Sequence, residues 1–209
     1  MAERTSGLHR LVTVPAIYAA IQNILGGAEG RKHVADLLFA GLEGKKVLEV
    51  GCGPGSWAPY LSHAAAYTGI DWNPRHIETA QLKYGGDSVR FIHGDLADPA
   101  LIADIGAPDA VVGIGILHHL DDAIAADLLK RIASLLASGG RYVGIEPVLH
   151  AGQNPVARLL KALDSGRNIR TEPAYRALLG TQYAHISTVI RTDMMRLPYS
   201  HCIIDGIVS

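Results

Sequence analysis

Val47-Leu48-Glu49-Val50-Gly51-Cys52-Gly53-Pro54-Gly55 is the stretch on which the fold is decided. The apolar run from Lys46 to Val50 has the length and composition of a parallel strand buried on both faces. Three glycines in the next five residues mark a backbone that turns sharply and admits a ligand where a Cβ would stand in the way. A glycine-rich turn that leaves a strand and enters a helix is a nucleotide-type binding loop. Glu49, two residues before the first glycine, narrows the choice of ligand.

A dinucleotide would set a pyrophosphate against this loop, and a nearby carboxylate would repel it. S-adenosylmethionine (SAM) brings an ammonium and a sulfonium, both of which an acid at the strand end favours. No Lys or Arg occurs from Gly51 to Tyr60 to balance phosphate charge. The spacing also departs from G-x-G-x-x-G, since the third glycine is Gly55 and position 56 is Ser. No Gly-Lys-Ser/Thr follows, which excludes a P-loop. The loop suits a cation.

The stretch resembles motif I of the class I SAM-dependent methyltransferases, and further family motifs follow in order. Gly69-Ile70-Asp71 resembles the end of the second strand, and Phe91-Ile92-His93-Gly94-Asp95-Leu96 the end of the third. The fourth strand and its loop are matched by residues 109–120, which include Gly113, Ile114 and the pair His118-His119. Residues 139–147, ending in Glu146-Pro147, match the fifth. The resemblance implies a doubly wound α/β, Rossmann-like sheet of seven strands in the order 3-2-1-4-5-7-6, one of them antiparallel. It also implies a cofactor site formed by Glu49, Gly51, Cys52, Gly53, Gly55, Asp71, Trp72, Asp95, Leu96, Gly113 and Ile114.

Physical chemistry supports several of these roles. Asp71 lies twenty residues beyond Gly51, the distance at which a second parallel strand sets an acid beside a ribose. A carboxylate accepts from both ribose hydroxyls. Asp95 ends another apolar strand at the same edge, and Leu96 and Trp72 offer apolar surface to adenine. The same two acids also read as caps of the helices that follow them. Cys52 reads as a small space-filling residue, and with Cys202 as the only other cysteine there is no disulfide framework.

Strand and helix alternate along the chain, as in βαβ units. Helices are predicted over residues 14–25 and 30–42, then strand 46–50, helix 55–65, strand 66–71, helix 74–84, strand 89–94, a short helix near 99–104 and strand 109–114. Ile124, Leu128, Leu129, Ile132, Leu135 and Leu136 give a helix over 121–137 its apolar face, and Gly139-Gly140 stops it. Strand 141–146 follows, then helices over 154–163 and 172–183 and a closing strand pair near 186–192 and 202–208. One domain accounts for all 209 residues: a helical cap (1–42), a SAM-binding core (43–147), and lid helices with the closing strands (148–209).

Methyl transfer to an oxygen or nitrogen, the expected reaction with oxygen favoured, asks for an aligned acceptor; an amine must arrive neutral and a hydroxyl must shed its proton. His118 and Glu146 are the catalytic candidates, at the ends of the fourth and fifth strands; Tyr18 and His150 are candidates for substrate contact. Each also reads as a packing or loop-shaping residue. No Cys/His zinc spacing or H-E-x-x-H occurs among ten histidines, so no metal is expected. The chain is 48% hydrophobic and 19% charged, with formal net charge −1 and no basic run, which points to a small-molecule acceptor rather than nucleic acid. Met1 to Arg10 lack a signal-peptide core and no run of ~18 apolar residues exists, so a cytoplasmic protein without membrane contact is expected. Two rival readings are a SAM-binding regulatory protein of this fold that transfers no methyl group and a nicotinamide-dependent dehydrogenase.

Overall fold

The structure, a computed structural model, describes residues 27–162, 166–194 and 199–209. The helix expected over 14–25 and the candidate Tyr18 lie outside the described residues, as do Leu197 and Pro198.

Eight strands form the sheet: β1 (Lys46–Val50), β2 (Ala66–Asp71), β3 (Val89–His93), β4 (Ala110–Ile114), β5 (Arg141–Leu149), β6 (Arg170–Thr171), β7 (Tyr183–Arg191) and β8 (His201–Val208). Their order is β3-β2-β1-β4-β5-β8-β7, and the two-residue β6 pairs with the end of β5. The first five strands are parallel, while β8 runs antiparallel to both β5 and β7. This is the expected topology with one strand added.

Side chains on β1 alternate between two cores, as period-2 geometry requires. Leu48 and Val50 face a cluster that includes Val111, Tyr142 and helix residues Ala125, Leu129 and Ile132. Val47 faces the other, with Tyr67, Phe91, Val112 and the helix residues Val34, Ala35 and Leu38. The helices are α1 (Gly27–Leu38), α2 (Pro74–Tyr84), α3 (Pro99–Ile105), α4 (Asp122–Leu135), α5 (Pro155–Ala162) and α6 (Glu172–Leu179). Asn73, Asp98 and Asp121 cap α2, α3 and α4 through their side-chain oxygens. None of the described helices is long and apolar enough to cross a membrane.

Two elements correct the sequence reading. The helix expected over 55–65 is only a 3-10 turn, Ala58–Leu61. Pro59 explains this, because inside an α-helix it would remove a backbone donor and clash with the preceding turn. Strand β5 continues three residues beyond the expected end, to Leu149, where it pairs with β6 on one side and β8 on the other. Glu146, at the end of the expected strand, is thereby internal to β5 and fully buried. Arg141 ties three elements together, donating to both Asp205 carboxylate oxygens at 3.0 and 2.8 Å and to Ala40 O at 2.8 Å.

Candidate cofactor and active site

The β1 loop turns on three glycines, each with positive φ: Gly51 at 73°, Gly53 at 53° and Gly55 at 76°. They are not equivalent. A Cβ at Gly51 would stand 2.9 Å from Ile116 Cδ1, and one at Gly55 would stand 3.0 Å from Ala80 and Phe91. A Cβ at Gly53 would meet nothing within 4 Å. Gly51 and Gly55 therefore allow close packing, while Gly53 faces open space at the carboxyl edge, where ligands bind in open α/β sheets.

Asp71, at the end of β2, secures this loop. Its Oδ2 accepts from Gly53 N at 2.9 Å and its Oδ1 from Asn73 N at 2.8 Å, while His76 Nδ1 lies 3.4 Å from Oδ1. The carboxylate thus joins the glycine loop to the start of α2. Trp72 beside it is 56% exposed, an aromatic face at the cleft. Asp95 is exposed and accepts from Ala97 N at 2.9 Å, so it turns the chain beyond β3. Leu96 is 2% exposed in the core, which corrects the expectation that its side chain offers a face to adenine. Cys52 is buried, its Sγ 2.9 Å from where a Cβ on Gly69 would stand.

Glu49 also needs correction. Its carboxyl is 1% exposed and accepts from the Tyr67 hydroxyl at 2.5 Å. Burial pushes its pKa from 4.5 up to about 8, against the lowering effect of the Tyr67 bond. Near neutral pH in the unliganded fold it is therefore mostly an uncharged acid, not the standing negative charge the sequence suggested. The folded chain holds a proton that the unfolded chain releases between about pH 4.5 and 8. Stability contributed by this group is full below pH 4.5 and is lost as pH rises through 8. Glu49→Gln should remove about 3–5 kcal/mol of that pH dependence, as seen by urea unfolding at pH 5 and pH 8. Equal pH slopes in variant and wild type would refute this account of Glu49.

At the other half of the edge, β4 ends at Gly113 and Ile114, and the chain turns through Leu117–His119. Gly113 is in register with Gly144 of β5, and a Cβ on either would come within 2.9 Å of the Tyr142 hydroxyl. The paired glycines make the slot in which that phenol lies. Glu146, fully buried on β5, organises the turn. Its Oε1 accepts from Ile116 N at 2.9 Å and Leu117 N at 2.7 Å; its Oε2 accepts from His118 N at 3.2 Å and His118 Nδ1 at 2.7 Å. The sequence candidates His118 and Glu146 are therefore brought together. Fully buried with all these donors on it, Glu146 holds His118 and the turn and has no surface open to an acceptor, against its reading as a group that meets the acceptor itself.

His150 is set apart from this pair. Its Nδ1 lies 2.8 Å from Ala151 O and its Nε2 2.9 Å from Ser200 Oγ, tying the β5 end to the start of β8. Sequence reasoning missed Arg170, which is 7% exposed and bonded to Leu117 O, Leu120 O and Asp122. Those partners lie about fifty residues upstream, so no local pattern marks it. Among the described residues no group of His, Cys, Asp and Glu could hold a metal ion.

Comparison with known proteins bears directly on this site. Residues 47–140 match a family model described as a methyltransferase domain. The phthiotriol/phenolphthiotriol dimycocerosates methyltransferase of Mycobacterium leprae is 39% identical over 117 residues, covering 54% of this chain and 42% of the relative. A ubiquinone biosynthesis O-methyltransferase of Chromobacterium violaceum is 32% identical over 152 residues, covering 63% and 65%. The chain thus spans less than two thirds of the length of these curated relatives. In overall fold it is similar to magnesium protoporphyrin IX methyltransferase from Synechocystis PCC 6803, solved with bound S-adenosylhomocysteine (SAH). The TM-score is 0.68 at 21% identity, over 97% of this chain and 99% of that one. Residues 47–140 thus carry the methyltransferase-domain match, the sheet order is that of Rossmann-like methyltransferase folds, and together these findings support a class I SAM-dependent methyltransferase.

Proposed function

We propose that this chain transfers the methyl group of SAM to an oxygen of a small-molecule acceptor. The observation that carries the reading is the His118–Glu146 pair, held at 2.7 Å in the turn whose Ile116 leans over Gly51 of the cofactor loop. SAM, once bound, supplies an activated methyl group. The chain's residues hold it: Asp71 is the acceptor for the ribose hydroxyls, Trp72 offers a face to adenine, and the Gly53 turn leaves room for the methionine part.

A hydroxyl acceptor must lose its proton as the new O–CH3 bond forms and the S–CH3 bond breaks, with the electron pair staying on sulfur. His118 Nδ1 lies 2.7 Å from the Glu146 carboxylate, which fixes the ring and steadies the imidazolium that forms when the ring takes that proton. A base so placed contributes about 10²–10⁴-fold. The names of the two relatives, a ubiquinone biosynthesis O-methyltransferase and a phthiotriol/phenolphthiotriol dimycocerosates methyltransferase, favour a hydroxylated acceptor.

The reading is tested by incubating the protein with methyl-labelled SAM and a panel of phenols, hydroxylated lipids and amines. Label should pass to a hydroxylated compound with stoichiometric release of SAH. Transfer to amines alone would overturn the choice of oxygen, and SAM binding without transfer to any compound would favour a regulatory SAM-binding protein.

A further inference from the structure

Arg170 spends its guanidinium on the turn that follows β4. Nη1 donates to Leu117 O at 2.7 Å and Asn168 O at 3.1 Å, Nη2 to Leu120 O at 2.7 Å, and Nε to the Asp122 carboxylate at 2.8 Å. Glu146 already holds the N–H groups of residues 116–118. One short turn is therefore gripped by its amides from β5 and by its carbonyls from β6. A planar guanidinium with five fixed donors meets four such acceptors at once; an ammonium has three donors and no such plane.

The segment carrying Arg170 also covers His118. β6 pairs with Val148 and Leu149 of β5, beyond the level at which β4 ends at Ile114. Asn168 N donates to His118 O at 3.0 Å. Gly166 rests on the imidazole itself: a Cβ there would fall 1.9 Å from Cδ2 and 2.8 Å from Nε2. A hydrogen is all that fits. His118 is accordingly only 6% exposed, with Glu146 on its Nδ1 and this strap along its Nε2 edge.

We propose that residues 166–171 form the acceptor-side wall of the active site, with Arg170 and Gly166 as positioning residues that fix the His118 imidazole against the methyl donor. This rests on the reading of His118 as the base. Gly166 packs against the ring itself, so a displacement of the strap by the width of one methyl group moves the His118 imidazole. Neither residue touches the cofactor loop directly, and Glu146 still holds the Ile116 and Leu117 amides in both variants, so turnover and acceptor binding suffer more than SAM binding.

The test compares wild type, Arg170→Lys and Gly166→Ala by SAM equilibrium dialysis, by methyl-transfer kinetics on the acceptor found in the panel, and by ring ¹⁵N NMR of His118. Each variant should keep its SAM dissociation constant within about twofold, lose about ten- to a hundredfold in kcat/KM, and shift the His118 ring signals. Wild-type kinetics and ring signals in both variants would overturn the proposal. Should Arg170→Lys fail to fold, Gly166→Ala decides by the same readouts. If wild type methylates nothing, the functional reading fails; the ring signals then decide the wall alone, and unchanged signals in a folded variant would overturn it.

Discussion

Glu146→Ala is expected to cost about 3–5 kcal/mol of stability and to lower methyl transfer at least about 10²-fold. The carboxylate is 0% exposed and accepts from three backbone amides and one imidazole. Alanine would leave all four donors buried without an acceptor, and a buried donor so stranded loses its full solvation. The turn would lose the contacts that set Ile116 over Gly51 and hold the His118 ring, so both sides of the proposed site suffer together. Glu146→Gln should fall between, because an amide keeps one accepting oxygen but turns an N–H₂ toward two of the former donors. Urea unfolding and single-turnover kinetics measure both effects. A Glu146→Ala protein with wild-type stability and turnover would show that the turn is held by something else.

Asp71→Ala should weaken SAM and SAH binding by the same factor, about 10²-fold. The ribose is common to both ligands, and the charge on sulfur, which differs, lies at the other end. Besides its proposed ribose contact, Asp71 accepts from Gly53 N and Asn73 N, so alanine also releases the glycine loop from α2. Gly53→Val probes the same site by another route. At φ 53° a β-branched residue is strained, and its side chain would enter the open space above the loop. Both variants should retain the fold, since neither side chain closes a hydrophobic cluster. Equilibrium dialysis with both ligands is the measurement; a loss for SAM alone would mean that Asp71 reads the sulfonium and not the sugar.

What the sequence revealed depended on whether a residue's partners were near it in the chain. Strands β1 to β4 were legible because each is a short apolar run that ends at glycine or aspartate. Asp71 was legible too, since the loop it serves is only eighteen residues upstream on the neighbouring strand. Glu49 was read as a charge because nothing nearby hides it; Tyr67, from the adjacent strand, and the burial around both convert it to a mostly neutral acid. His118 and Glu146 stood out as candidates, yet their pairing joins residues 28 apart, in the turn after β4 and on β5, which no local pattern shows. Strand β6 was invisible, since two residues carry no period and pair only because β5 runs on to Leu149. Arg170 was hidden because its partners lie about fifty residues upstream.

The account stands or falls on the nucleoside that the Gly53 turn and Asp71 receive, and calorimetric titration of the wild-type protein with SAH measures this most directly. The predicted result is one saturable site per chain, with NADH giving no heat of binding. An absence of saturable SAH binding, or a site that NADH fills instead, would contradict it.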